Sequence, residues 1–242
     1  MKTSKTPLIL GGCGCLSILI SLALFGAYWF TRDAMPSFME SARQRIEQTA
    51  SDAMTEDQTS RPADVERYVN SPDGRTGNLS NAYVGFEFDY PRSWIVKPQG
   101  ADSINFVAVE RRFREQTWES FTVGYFNTAG SREANEQLYS ELVNQLGAQF
   151  EQQFGNLQRV REGSVTVGAN EGYEGLFQST VDAAGTPVQV YIRSILLPTP
   201  DGTKGVTLLM LGTSYHPELS SPEDLGVKGE MPLALESFRF TE

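Results

Sequence analysis

Cysteine is nearly absent from this chain. Of its 242 residues only Cys13 and Cys15 are cysteines, and both fall inside an apolar N-terminal run. The rest of the chain therefore has no disulfide and no cysteine-ligated zinc to rely on. Histidine is scarcer still, with His216 alone. Basic charge is also short: 20 Lys and Arg face 30 Asp and Glu, a net charge of -10. From residue 81 onward the balance is 12 against 21. An acidic surface repels phosphate, so nucleic acid is not an expected partner. No phosphate loop, no grouped metal ligands and no nucleophile–base–carboxylate set is visible, so the reading assigns no catalytic residue, metal or cofactor.

What is present begins with a greasy leader. No charged residue falls between Lys5 and Arg32. As a helix rising about 1.5 Å per residue, residues 7–30 reach roughly 36 Å, enough to cross a hydrocarbon core of about 30 Å with some tilt. Tyr28, Trp29 and Phe30 sit at its end, where an aromatic interface belt is expected. A cleaved signal peptide needs small residues at the cut, and Ala27-Tyr28-Trp29 offers large rings instead. Leu10-Gly11-Gly12-Cys13 resembles a lipobox, but most of the apolar run follows the cysteine rather than preceding it. An uncleaved signal anchor is the reading that fits best. Lys2 and Lys5 outweigh the lone nearby Arg32, which puts residues 1–6 in the cytoplasm. The chain is then expected in the inner (cytoplasmic) membrane as a single-pass protein. Its large C-terminal part faces the periplasm or the exterior.

Residues 31–59 carry a thin apolar stripe of Phe38, Ala42, Ile46 and Ala53, read as a juxtamembrane helix, with a solvated spacer as the alternative. Residues 60–80 are rich in Pro, Gly, Asn, Asp and Ser, with turn pairs at Asp73-Gly74 and Gly77-Asn78, and are expected to be a flexible linker. The soluble domain is expected over 81–242. Val84, Phe86, Phe88 and Tyr90 alternate with small or acidic residues, which predicts a half-buried strand ending at Pro91. Further strands are expected near 104–109 and at Phe121, Val123 and Tyr125.

Residues 131–154 form the one strong helical pattern, capped by Ser131 and closed by Gly155. Leu138, Leu142, Leu146, Phe150 and Phe154, joined by Val143, are its predicted apolar stripe. Four strands joined by short turns follow, and Pro232 allows only a short helix near the end. The predicted class is α+β: an antiparallel sheet with one long helix on it and a short C-terminal helix, preceded by one transmembrane helix.

The run Gly85-Phe86-Glu87-Phe88-Asp89-Tyr90-Pro91-Arg92-Ser93-Trp94 resembles the opening signature of the PsbP-like (Mog-type) α/β/α sandwich family. Leu235-Glu236-Ser237-Phe238-Arg239-Phe240 is similar to that family's closing element, so the resemblance spans residues 83–240. It implies a sandwich fold. Among the roles of such proteins it suggests an accessory subunit of a membrane complex, photosynthetic or other. The broken terminal segment departs from the family's long last helix.

Few candidate sites emerge. His216 lies in Ser214-Tyr215-His216-Pro217, with Glu218 near in sequence. It is the only histidine, and a hydrolase would use it or a pair of carboxylates; a solvent-exposed loop histidine is the alternative. Arg111, Arg112 and Arg114 form the single basic cluster, a possible partner-binding patch or else a solvated loop. Asp201-Gly202-Thr203 has too few carboxylates for calcium and reads as a turn. The aromatics Tyr83, Phe86, Phe88, Tyr90, Trp94, Trp118 and Tyr125 are expected in the core. The sequence thus favours a membrane-tethered, non-catalytic binding or scaffolding module. Its expected partners are the lipid bilayer, through the leader, and an envelope protein.

Overall fold

The computed structural model describes residues 64–241, apart from 74–76, 98, 100–102, 114–115 and 184. The span 7–30, the segment 31–59 and Arg114 lie outside the described residues. Among those described, no helix is long and apolar enough to cross a membrane.

The chain begins with strand β1 (Val65–Asn70), a four-residue helix α1 (Asn78–Asn81) and strand β2 (Phe86–Pro91). The alternation predicted for β2 is realised. Phe86, Phe88 and Tyr90 are buried, while Glu87 and Asp89 form the opposite face. β1 corrects the expectation of a linker over 60–80. It has little of its own to bury, with Val65 and Val69 exposed, but it pairs antiparallel along the whole of β2. Arg67 grips Asp89 with two hydrogen bonds, 2.7 and 3.2 Å, and the Tyr68 ring lies 5.5 Å from that of Phe88. Pairing with a neighbour, not hydrophobicity, makes this strand.

A seven-stranded antiparallel sheet forms the centre. Its strands are β3 (Ile95–Lys97), β4 (Asn105–Phe113), β5 (Gln116–Phe126), β6 (Gln158–Val167), β7 (Asn170–Ala183), β8 (Thr186–Pro198) and β9 (Gly205–Thr213). The spatial order is β3-β4-β5-β9-β8-β7-β6, so β6 to β9 make the predicted meander of hairpins and β9 closes against β5. Helix α2 (Arg132–Phe154) crosses between β5 and β6 and covers one face. Ser131 caps it through the Ala134 N–H, and Gly155 ends it at φ 63°. Its buried face is Tyr139, Val143, Leu146 and Phe150, against Phe177, Ile192, Leu196 and Leu209. This is offset from the predicted stripe, and Leu138 and Leu142 are only half-buried. Residues spaced strictly by four drift around a 3.6-residue helix, whereas alternating steps of four and three stay on the sheet.

The other face is closed by helix α3 (Met231–Ser237) and by a second, three-stranded sheet of order β1-β2-β10, where β10 is Arg239–Phe240. Phe86, Phe88, Phe121, Leu208, Met231 and Phe238 meet in that second core. α3 is short, as Pro232 predicted, and the small sheet shares the work of the outer layer. Trp94 is buried in the core as expected, whereas Tyr83, Trp118 and Tyr125 are half-buried.

Candidate functional site

The strongest concentration of chemistry lies where β4 ends and β5 begins. Val107 and Val109 face the second core, as do Phe121 and Val123. Continuing each strand with a period of two puts Arg111 and Glu119 on the same face, and the two are partners across the β4–β5 ladder. Glu119 is fully buried at 0% exposure. A carboxylate in such a place needs partners. Arg111 Nη1 is 3.4 Å from Oε2. The backbone N–H groups of Glu230 and Met231 donate to Oε1 at 3.2 and 3.4 Å. Those N–H groups belong to the first turn of α3, which has no side-chain cap of its own. Glu119 therefore caps α3 from a distant strand, where a negative group suits the helix dipole. Gly229 makes the approach possible, because a Cβ there would strike Glu119 Oε1. Its φ of +72° also favours glycine.

His216 completes the group. It was expected in solvent as the bland alternative, but it is 3% exposed. The loop after β9 is drawn inward because Leu219 and Leu225 pack over Gly212, which has no side chain to keep them away. His216 Nε2 lies 3.0 Å from Arg111 Nη1 and 3.4 Å from Glu119 Oε2. Nδ1 accepts from the Glu218 N–H at 3.2 Å. The indole of Trp118 meets the imidazole edge-on at 5.4 Å, and Arg111 lies 5.1 Å from the centre of that indole. Glu230 Oε2 takes the Trp94 indole N–H at 2.7 Å and faces Arg111 Nε at 3.5 Å. Burial pushes the Glu119 carboxyl above its ordinary value, with Arg111 and the two N–H donors opposing. Burial, followed by the Arg111 charge, holds the His216 imidazole below its ordinary value, against the pull of Glu218 and Glu230.

This geometry occupies His216 rather than freeing it. Both ring nitrogens face groups of the chain itself, and among the described residues no hydroxyl is hydrogen-bonded to either. Ser214 Oγ accepts instead from the Gln189 N–H, and Glu218 Oε2 accepts from the Gly229 N–H. The neighbours considered with His216 in the sequence do not converge on it as a nucleophile–base pair.

Within the basic run, residues 110–113 belong to β4 rather than to a loop. Arg111 turns inward to Glu119. Arg112 Nε pairs with Glu110 Oε1, and Lys97 Nζ is 2.7 Å from Glu110 Oε2. The β3–β4 register sets Lys97 opposite Ala108, diagonal to Glu110, whose carboxylate is only 2% exposed.

A second buried charge group spans three strands. Glu174, on β7, is 2.6 Å from Arg161 on β6 and 2.8 Å from Arg193 on β8. Arg193 also donates to the Leu225 carbonyl at 2.7 Å, tying the loop before α3 to the sheet. Asp201 serves its own turn, accepting from Thr199 and Thr203 at 2.6 and 2.8 Å, and those bonds hold its carboxyl low, at about 2. Among the described residues no group of three His, Cys, Asp or Glu is placed to hold a metal ion. A shallow cleft of about 180 Å³ opens at the opposite end of the sheet, between Asn81, Tyr125, Asn127 and Lys204. The Lys204 ammonium there already donates to the Tyr83 carbonyl at 2.6 Å.

Sequence reasoning missed Glu119, Glu230 and Glu174 as site residues. The signal for Glu119 was present, because the alternation of Phe121, Val123 and Tyr125 extends back to it. Nothing local announces Glu230, whose role depends on where α3 lands.

No protein-family model matches the chain, and no curated protein matches it in sequence. Its structure is similar to that of cyanobacterial PsbP (CyanoP) from Synechocystis sp. PCC 6803. The TM-score is 0.45 and the identity 11%, over 78% of this chain and 99% of that one. It is also similar to the Ran-binding protein Mog1p of Saccharomyces cerevisiae, with a TM-score of 0.39 and 13% identity, over 73% and 95% of the two chains. A third similar structure is LpqN of Mycobacterium tuberculosis, described as involved in cell envelope biogenesis. There the TM-score is 0.41 and the identity 7%, over 79% and 96%. Identities of this size concern fold and leave function open.

Proposed function

We propose that this chain is a non-catalytic binding or scaffolding module, carried on an N-terminal membrane anchor with its domain outside the cytoplasm. One observation carries the reading of the domain: its buried reactive groups serve its own architecture. Glu119 caps a helix, and His216 is engaged at both nitrogens. The support for the anchor is the uncharged run between Lys5 and Arg32, with its basic flank on the N-terminal side. A tether of this kind raises the concentration of the domain near other envelope proteins, the expected class of partner.

Two measurements test it. After an alkaline wash the protein should stay with the membrane pellet, and alkaline phosphatase fused to its C-terminus should be active. Full recovery in the soluble fraction removes the anchor, and a phosphatase inactive in a stable fusion removes the orientation. For the domain, crosslinking in intact cells should join it to one envelope protein in near-equal amounts, and the product should persist in His216→Ala. Loss of the partner in every crosslinking geometry, together with turnover of a hydrolase substrate that His216→Ala abolishes, would reverse the reading.

A further inference from the structure

The imidazole of His216 has a donor aimed at each of its nitrogens. The Glu218 N–H lies 3.2 Å from Nδ1, and the Arg111 guanidinium lies 3.0 Å from Nε2. A neutral imidazole has one lone pair to offer and one N–H to place, and in the tautomer that puts the N–H on Nε2 it has Glu119 Oε2 at 3.4 Å. An imidazolium has no lone pair at all. It would set an N–H against the Glu218 N–H on one side and a cation against Arg111 on the other. We propose that His216 is a pH-sensitive latch: neutral, it holds the 214–230 loop and the start of α3 on the sheet, and protonated, it releases them.

The parts that would move are linked through His216, while the Arg193 bond to the Leu225 carbonyl holds the middle of the loop independently. The His216 ring fixes Glu218, and Glu218 Oε2 accepts from the Gly229 N–H at 3.1 Å. One residue further on, Glu230 and Met231 give their N–H groups to Glu119. Among the described residues the charged groups facing the ring are Arg111 from β4, Glu119 from β5, Glu218 from the loop itself and Glu230 from the start of α3. Arg111 opposes a charged ring, while the three carboxylates favour one.

The sign follows from linkage. A histidine held below its ordinary value of 6.5 in the closed state takes up its proton more readily once the loop has opened. Its contribution to closure is complete above 6.5 and is lost as pH falls below it. Glu119 acts in the other direction. Its raised carboxyl favours the closed state most below the ordinary 4.5 and less as pH rises through its folded value. The two effects oppose each other in any global unfolding curve, so the latch must be read locally.

The experiment is amide hydrogen exchange on the full-length chain in detergent, at about pH 7.5 and about pH 5.5, corrected for intrinsic exchange. The Glu218, Leu219 and Met231 amides should open more often at the lower pH, by up to about tenfold for each unit separating the closed and open histidine values. His216→Asn keeps an acceptor for the Glu218 N–H but cannot take a proton, and it should abolish the difference. Equal opening of the wild-type loop at both values overturns the proposal, as does a difference that persists in His216→Asn. Should that variant fail to fold, the wild type still decides. The chain has one histidine, so its ring resonances can be titrated by NMR without ambiguity. Titration below 6.5 supports the latch, and titration at or above 6.5 refutes it.

Discussion

Two glutamates buried in this domain are held in different ways. Glu174 lies between two guanidinium groups, and its partners sit on neighbouring strands at 2.6 and 2.8 Å. Glu119 has one arginine at 3.4 Å, the His216 ring at the same distance, and the backbone N–H groups of α3. The first arrangement joins strands that the sheet already holds together. The second joins a strand to a helix more than a hundred residues later in the chain. Burial pushes the Glu119 carboxyl above its ordinary value, and Arg111 and the two N–H donors offset that only in part.

Substitutions should separate the two. Glu174→Ala leaves Arg193, 12% exposed, beside another cation with no carboxylate, and should cost about 3–5 kcal/mol in chemical denaturation. The corresponding Glu174→Gln and Glu119→Gln pair sharpens the contrast. The first should lose most of what Glu174→Ala loses. The second, which keeps an acceptor for α3, should lose less and also flatten the dependence of stability on pH. Equal losses from the two glutamines would erase the distinction drawn here. Gly229→Ala tests the approach of the loop to Glu119 without changing any charge. Strain at positive φ and the contact with Oε1 should cost about 1–3 kcal/mol, and exchange of the Met231 amide should rise with it. The smallest effect is expected away from both regions: Ser131→Ala removes the α2 cap and should cost about 1 kcal/mol in the same denaturation assay.

The parts of the fold that were readable in the sequence are those governed by local pattern. The alternation in β2, the caps of α2 and the short turns of the meander all rest on neighbours in sequence. β1 was hidden because its strand character comes from Tyr68 and Arg67 meeting β2, and neither residue signals a strand alone. Half of the charge site was readable too. Strand parity places Arg111 and Glu119 inward once the register of β4 and β5 is known. The burial of His216 was not readable, since it follows from two leucines settling over Gly212, and a loop sequence does not reveal what lies beneath it.

The small sheet sets the first described strand and the last on either side of β2, with β10 pairing to Phe86 and Glu87. A chain made from its N-terminus must wait for that arrangement. While the ribosome is still adding residues, β2 has a bare edge, and it keeps that edge until Arg239 and Phe240 emerge. Glu119 likewise waits for the N–H groups of Glu230 and Met231. Removing Arg239 and Phe240 should therefore harm the newly made protein more than their small share of the core suggests.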